Sequence, residues 1–194
     1  HVQLRHKMAL NLGHENFVPL GYSGMRRTDY GPAESTQFRD AVRTYASPLF
    51  AKIGADQASA LGASTVRPWD RGFHTALTLP TGAAEPVDEQ LDKAGRVFDR
   101  LSPKLAAHFQ HMRDEGLIDL ETRKGKAAGA YCTSFPDESK VAIFCNSIGD
   151  ENDVRTLTHE MGHAFQGWES QWIESVDLRW PSLDAAEVHS MGME

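Results

Sequence analysis

Long apolar runs are missing from this chain. No stretch approaches the roughly 20 residues that cross a bilayer, so the sequence does not read as a membrane protein. Basic runs are missing too: Lys and Arg never stand more than two together, and the net charge is −7. Nucleic-acid binding draws most of its affinity from a basic face, so that partner class is set aside. Cysteine is scarce. Cys132 and Cys145 are the two thiols, and neither stands in a CxxC pair, which argues against a cysteine-based metal site. They fall on neighbouring predicted strands, where a cross-strand disulfide is conceivable. We read them instead as reduced, half-buried thiols of a cytoplasmic protein. Internal repeats and low-complexity tracts are absent, and no basic-then-apolar signal stands at the start.

What is present is an ordinary globular composition. The 194 residues leave room for one large domain or two small ones, and a hydrophobic content of 40% suffices for a core. The chain opens on His1 and stops at Glu194 inside a helical pattern, so it reads as an internal piece of a longer protein.

The first 116 residues read as helices. Apolar spacing predicts one over Val2 to Leu12, stopped by Gly13. Asn16 to Met25 is ambiguous, because Pro19, Gly21 and Gly24 interrupt it. Pro32 opens a helix that runs to about Gly62, with Pro48 expected to kink it. Arg67 to Asp70 is a loop, and Thr75 to Pro86 a connection. Val87 to Leu101 and Ser102 to Glu115 are amphipathic helices. After Leu117 the period changes. Ala130 to Phe135 and Lys140 to Ser147 predict a hairpin about Pro136-Asp137-Glu138-Ser139. Helices follow over Glu151 to Trp168 and from about Pro181 to the end. The expected fold class is mainly α with a small β-hairpin or sheet, split into a helical part (1–116) and a hairpin with two helices (117–194).

One stretch carries chemistry: Thr158-His159-Glu160-Met161-Gly162-His163-Ala164-Phe165. On a helix, Val154, Leu157, Met161, Phe165 and Trp168 form an apolar stripe about 80° wide, while His159 and His163 lie about 40° apart on the opposite side. The pair is therefore not a pair of core histidines. Residues four apart stand one turn above each other, so two imidazoles can reach a single Zn²⁺ at about 2.0–2.1 Å. Glu160, offset to one side, can take a proton from a water activated by the metal without ligating it. Gly162 costs a helix interior roughly 1 kcal/mol against alanine, which suggests that another backbone approaches there.

A catalytic zinc needs a third protein ligand and an open position. Spacing leaves Glu169, Glu174, Asp177, Asp184, Glu187, His189 and Glu194 as candidates. Ligands from the following helix are better placed than those further along the same one. Glu187 stands among small and apolar residues, where a carboxylate is costly to bury without a cation. The glycines at Gly125 and Gly129 do not form a phosphate loop, because the order GxxxxGK[ST] is absent.

With these residues in view, the sequence resembles the zinc metallopeptidases of the thimet oligopeptidase and oligoendopeptidase F group, more closely the latter. The resemblance rests on HEMGH at 159–163, AEVHSMGME at 186–194, RKGKAAGAY at 123–131, RPWD at 67–70 and TDYGP at 28–32, in the family's order. It implies a zincin-like catalytic core of a helical oligopeptidase, truncated at both ends. It also implies that His159, His163 and Glu187 ligate one zinc ion, that Glu160 is the general base, and that short peptides are the substrates. Ser190 falls near the ligand as outer support. Val141 to Ser147 takes the part of an edge strand that pairs with substrate backbone. Oxyanion donors in the family come from a segment that would follow Glu194; Tyr131 and His189 are the nearest polar groups here. Gln166 stands where many relatives carry histidine. Two other readings compete: a zinc-binding piece or homologue without turnover, and a helical domain in which the motif is idle. Metal content separates the second of these from the rest.

Overall fold

In the computed structural model, residues 1–70 and 84–194 are described. They fall into two compact units, His1–Thr81 and Gly82–Glu194. The chain is mainly helical with one three-stranded sheet.

In the first unit, α1 (Val2–Asn11) stops before Gly13, whose φ of +80° suits a residue without Cβ. The ambiguous stretch forms α2 (Val18–Gly24), with Pro19 in its first turn, where its missing N–H costs nothing. Then α3 (Pro32–Ala41) passes through a π-helical turn (Val42–Ala46) into α4 (Ser47–Ala60). The π turn is the form that the expected disturbance takes. Pro48 lacks an N–H, and one residue earlier the Ser47 N–H reaches back five residues to the Val42 carbonyl. Arg67–Asp70 closes on itself, with the Asp70 carboxylate accepting the Arg67 N–H at 2.9 Å. The connection expected over Thr75 to Pro86 lies largely in 71–83, outside the described residues.

In the second unit, α5 (Val87–Leu101) and α6 (Pro103–Asp114) pack together, and Ser102 caps α6 by accepting the Lys104 N–H. Phe98 and Phe109 meet at 5.2 Å between ring centres. The hairpin forms as expected: β2 (Tyr131–Phe135) runs antiparallel to β3 (Lys140–Ser147). The sequence reading missed β1 (Ile118–Glu121), which is only four residues long and pairs parallel to β3 on its other side. The sheet order is therefore β1-β3-β2. This corrects the edge-strand expectation: Val141 to Ser147 lies in the central strand, with both edges used by neighbours, and β2 is an edge.

Lys126 stitches the loop between β1 and β2 to the sheet. Its side chain is 1% exposed, and its Nζ donates to the Asp119 carbonyl at 3.0 Å, the Asp119 carboxylate at 2.9 Å and the Glu121 carbonyl at 2.9 Å. It also lies 4.5 Å from the centre of the Phe144 ring.

Strand β3 buries Val141, Ile143 and Cys145 on one face, the alternation expected of a half-covered strand. Onto that face packs α7 (Glu151–Glu169), with Leu157, Met161, Ala164 and Phe165 buried. Phe165 meets Phe98 edge-on at 5.2 Å. Of the expected stripe, Leu157, Met161 and Phe165 are fully in the core, and Trp168 packs at its margin. After a short α8 (Val176–Arg179), α9 (Leu183–Met191) starts under a Ser182 cap and packs on α7. It ends at Met191 rather than running to Glu194. Met193 turns in to pack against the core, and Gly192 leaves the helix ahead of it.

Candidate metal centre

The start of α7 is locked to the end of β3 by one carboxylate. Asp153 Oδ2 accepts N–H bonds from Ile148 (2.9 Å), Gly149 (2.6 Å) and Asp150 (3.0 Å), and the Ser147 hydroxyl at 2.9 Å. Asp150 in turn caps the helix by accepting the Asn152 N–H at 2.9 Å. Anionic groups at a helix N-terminus satisfy its free N–H groups and its dipole together. With this end pinned, the rotation of α7 follows from the burial of Leu157, Met161 and Phe165. That rotation turns His159 and His163 away from the core, and α9 covers them there.

Gly162 is what lets α9 come close. A Cβ at this position would stand 2.4 Å from the His189 carbonyl oxygen and 2.5 Å from Ser190 Cα. The close backbone approach expected from the sequence is therefore present, and it is the backbone of α9 that makes it. At that distance Glu187 reaches over the histidine pair: its Oε2 lies 3.3 Å from His159 Nε2 and 3.7 Å from His163 Nε2. One ligand atom from each of the three residues falls within 4.8 Å of the others. No other group of this kind occurs among the described residues. The Ser190 hydroxyl donates to Glu187 Oε2 at 2.6 Å. Glu187 is half exposed rather than buried, because its side chain rims the site.

The donor set fits zinc. A tetrahedral ion with bonds of about 2.0–2.1 Å holds its ligand atoms roughly 3.3–3.4 Å apart, close to both imidazole–carboxylate distances. Burial pulls the His163 pKa below its ordinary value, against the pull of Glu187, which favours the neutral imidazole that a metal requires. Glu160 is buried beside the pair. Burial pushes its carboxyl above the usual range; the charge of His159 opposes this, Glu187 adds to it, and the Cys132 N–H opposes it.

Of the other sequence candidates, Glu169 and His189 are used elsewhere. Glu169 pairs with Lys104 and lies 3.7 Å from His108. His189 contributes its backbone at Gly162. Glu194 does touch the site, but at the far side of a ring: its Oε1 lies 2.7 Å from His159 Nδ1, and its Oε2 accepts Arg155 Nε at 2.7 Å. Arg155, first, and His159 hold its carboxyl below the usual range. Sequence reasoning weighed Glu194 only as a ligand; the signal it missed is that Arg155 and His159 stand one turn apart. Tyr131 is turned from the site. It stacks on Phe144 at 4.8 Å, on the sheet face opposite the one that Ile143 and Cys145 bury. Gln166 Nε2 donates to the Ser170 hydroxyl at 2.7 Å and to the Arg179 carbonyl at 2.9 Å, so it ties α7 to the segment before α9.

The sequence model of peptidase family M3 matches residues 1–194. Among solved structures, Pz peptidase A, determined with an inhibitor, is 35% identical with a TM-score of 0.89; the match covers 99% of this chain and 34% of that one. A Bacillus anthracis (str. Ames) protein assigned as an oligoendopeptidase F is 36% identical with a TM-score of 0.87, covering 99% of this chain and 35% of that one. A Chlamydophila abortus structure at 18% identity and a TM-score of 0.69 shares the fold over 98% of this chain and 31% of that one. No curated protein matches the chain. This chain belongs to peptidase family M3, and it spans about a third of the length of these solved relatives.

Proposed function

We propose that this chain carries the metal-binding part of a zinc metalloendopeptidase that cleaves short oligopeptides. The observation that carries the reading is the meeting of His159 Nε2, His163 Nε2 and Glu187 Oε2, from two helices, within 4.8 Å. A zinc ion held by these residues would polarise the scissile carbonyl and make a water acidic enough to attack near neutral pH. His159 and His163 supply neutral nitrogen ligands, and Glu187 supplies the anionic oxygen, oriented by the Ser190 hydroxyl. Glu160 takes the proton of the attacking water and passes it to the leaving nitrogen.

Strand β2 is the edge that an extended peptide joins by strand addition. The Cys132 N–H is turned to Glu160 rather than to β3, so Cys132 and Ser134 present their backbone groups outward. A peptide added at that edge would run alongside Glu160, which supports the reading of Glu160 as the base. The free thiols of Cys132 and Cys145 fit a cytoplasmic setting, and no described helix is long and apolar enough to cross a membrane.

Coverage of about a third of the solved relatives favours a second reading for the chain taken alone: it holds metal and peptide without turnover. Elemental analysis tests the metal, and cleavage of a quenched short peptide separates the two readings. About one zinc per chain, lost in His163→Ala, is the expected result. A zinc-incubated wild-type chain that retains no metal would overturn both.

A further inference from the structure

We propose that Glu194 is a positioning residue of the metal centre, its carboxylate fixing the tautomer and direction of the His159 ring while Arg155 anchors that carboxylate. The proposal rests on the reading of His159, His163 and Glu187 as ligands. A neutral imidazole carries one N–H. With Oε1 of Glu194 at 2.7 Å from Nδ1, a carboxylate that can only accept draws the hydrogen to Nδ1. Glu187 Oε2, 3.3 Å from Nε2, competes for that hydrogen from the other side, but Glu194 is nearer, and a neutral ring with its hydrogen on Nδ1 keeps its lone pair on Nε2 for a metal. The opposite tautomer would point an N–H into the ligand cluster and block it. Outer carboxylates that take the second nitrogen of a ligating histidine fix its tautomer and raise its basicity.

The carboxylate is itself held. Its Oε2 accepts Arg155 Nε at 2.7 Å, so its two oxygens clip residues one turn apart on α7. Met193, packed against the core, brings residue 194 back to that helix. The two histidines are thus unequal: His163 Nδ1 is buried with no partner among the described residues, whereas the His159 ring is held from behind. A purely mechanical clip between α7 and the end of the chain would show the same contacts, and the test must separate the two roles.

Zinc affinity of the 194-residue chain is measured by chelator competition for wild type, Glu194→Ala, Glu194→Gln and Arg155→Met. Histidine ¹⁵N spectra of the zinc-free proteins, followed to a pH at which the ring has lost its charge, give the tautomer of His159. The wild type is expected to show the Nδ1–H form, and Glu194→Ala the Nε2–H form with zinc affinity about 10- to 100-fold weaker. Glu194→Gln keeps an acceptor and is expected to recover part of the loss. Should Glu194→Ala not fold, Arg155→Met leaves both contact partners in place and is expected to weaken binding several-fold. A lowered Tm with unchanged tautomer, or unchanged zinc affinity, assigns a mechanical role and overturns the proposal. A wild-type chain that takes up no zinc overturns the ligand reading, and this one with it; normal zinc binding by Glu194→Ala overturns this one alone.

Discussion

Gly162 of α7 lies directly against His189 of α9, with room for a hydrogen and none for a methyl group: a Cβ there would stand 2.4 Å from the His189 carbonyl oxygen. Two helix backbones meet at this point, and the meeting sets the distance from Glu187 to both histidines.

Gly162→Ala is therefore expected to push α9 outward. Alanine returns about 1 kcal/mol of helix propensity, while overpacking costs about 1–3 kcal/mol, so global stability is expected to fall by about 0–2 kcal/mol. Zinc affinity is expected to fall at least tenfold, because the third ligand moves. Calorimetric zinc titration beside a thermal melt checks this; parallel small changes in both would show that the contact does not position Glu187.

Glu160→Gln keeps the shape of the side chain and removes its basicity. Zinc content is expected to stay near that of the wild type, while any peptide turnover falls about 10²–10⁴-fold. Elemental analysis and a quenched-peptide assay on the same preparation report both quantities. Normal cleavage by this variant would remove Glu160 from the mechanism.

Asp119 is expected to stabilise the sheet in a pH-dependent way. Arg123, chiefly, and Lys126 lower its pKa from 3.8 to about 2. A carboxyl depressed in the folded state stabilises at pH above 3.8 and loses that contribution as pH falls through about 2. Asp119 is about a third exposed, so solvent screening reduces the effect to about 1 kcal/mol. Asp119→Asn should be less stable than wild type at pH 5 and indistinguishable below pH 2, in denaturant titrations. A constant difference across that range would assign the loss to packing instead.

Cys132 and Cys145 are expected to resist modification in the folded chain. Burial, with the nearby Glu160 charge next, pushes both thiols up to about 12, so almost no thiolate exists at pH 8. A thiol reagent such as DTNB should label neither until denaturant is added. Rapid labelling of the native chain would contradict the burial that the sheet imposes.

Much of the second unit was legible in the sequence. The hairpin was marked by two β-prone runs around Pro136 to Ser139, and α7 by its apolar period. What periodicity could not show was β1, whose four residues are too few for a pattern. Its pairing placed Val141 to Ser147 at the centre of the sheet rather than its edge. The end of α9 was also hidden, since only packing shows that Met193 turns inward and halts the helix.

For the site, local spacing alone put His159 and His163 one turn apart, set Glu160 beside them, and marked Gly162 as a position that tolerates a close neighbour. These follow from the 3.6-residue repeat of a single helix, a short-range property that a linear sequence encodes. Which carboxylate comes third, and which one instead stands behind His159, was decided by the docking of α9 on α7. That docking depends on contacts such as His163 with Glu187 and Gly162 with His189, 24 and 27 positions apart, and no period along the chain records them.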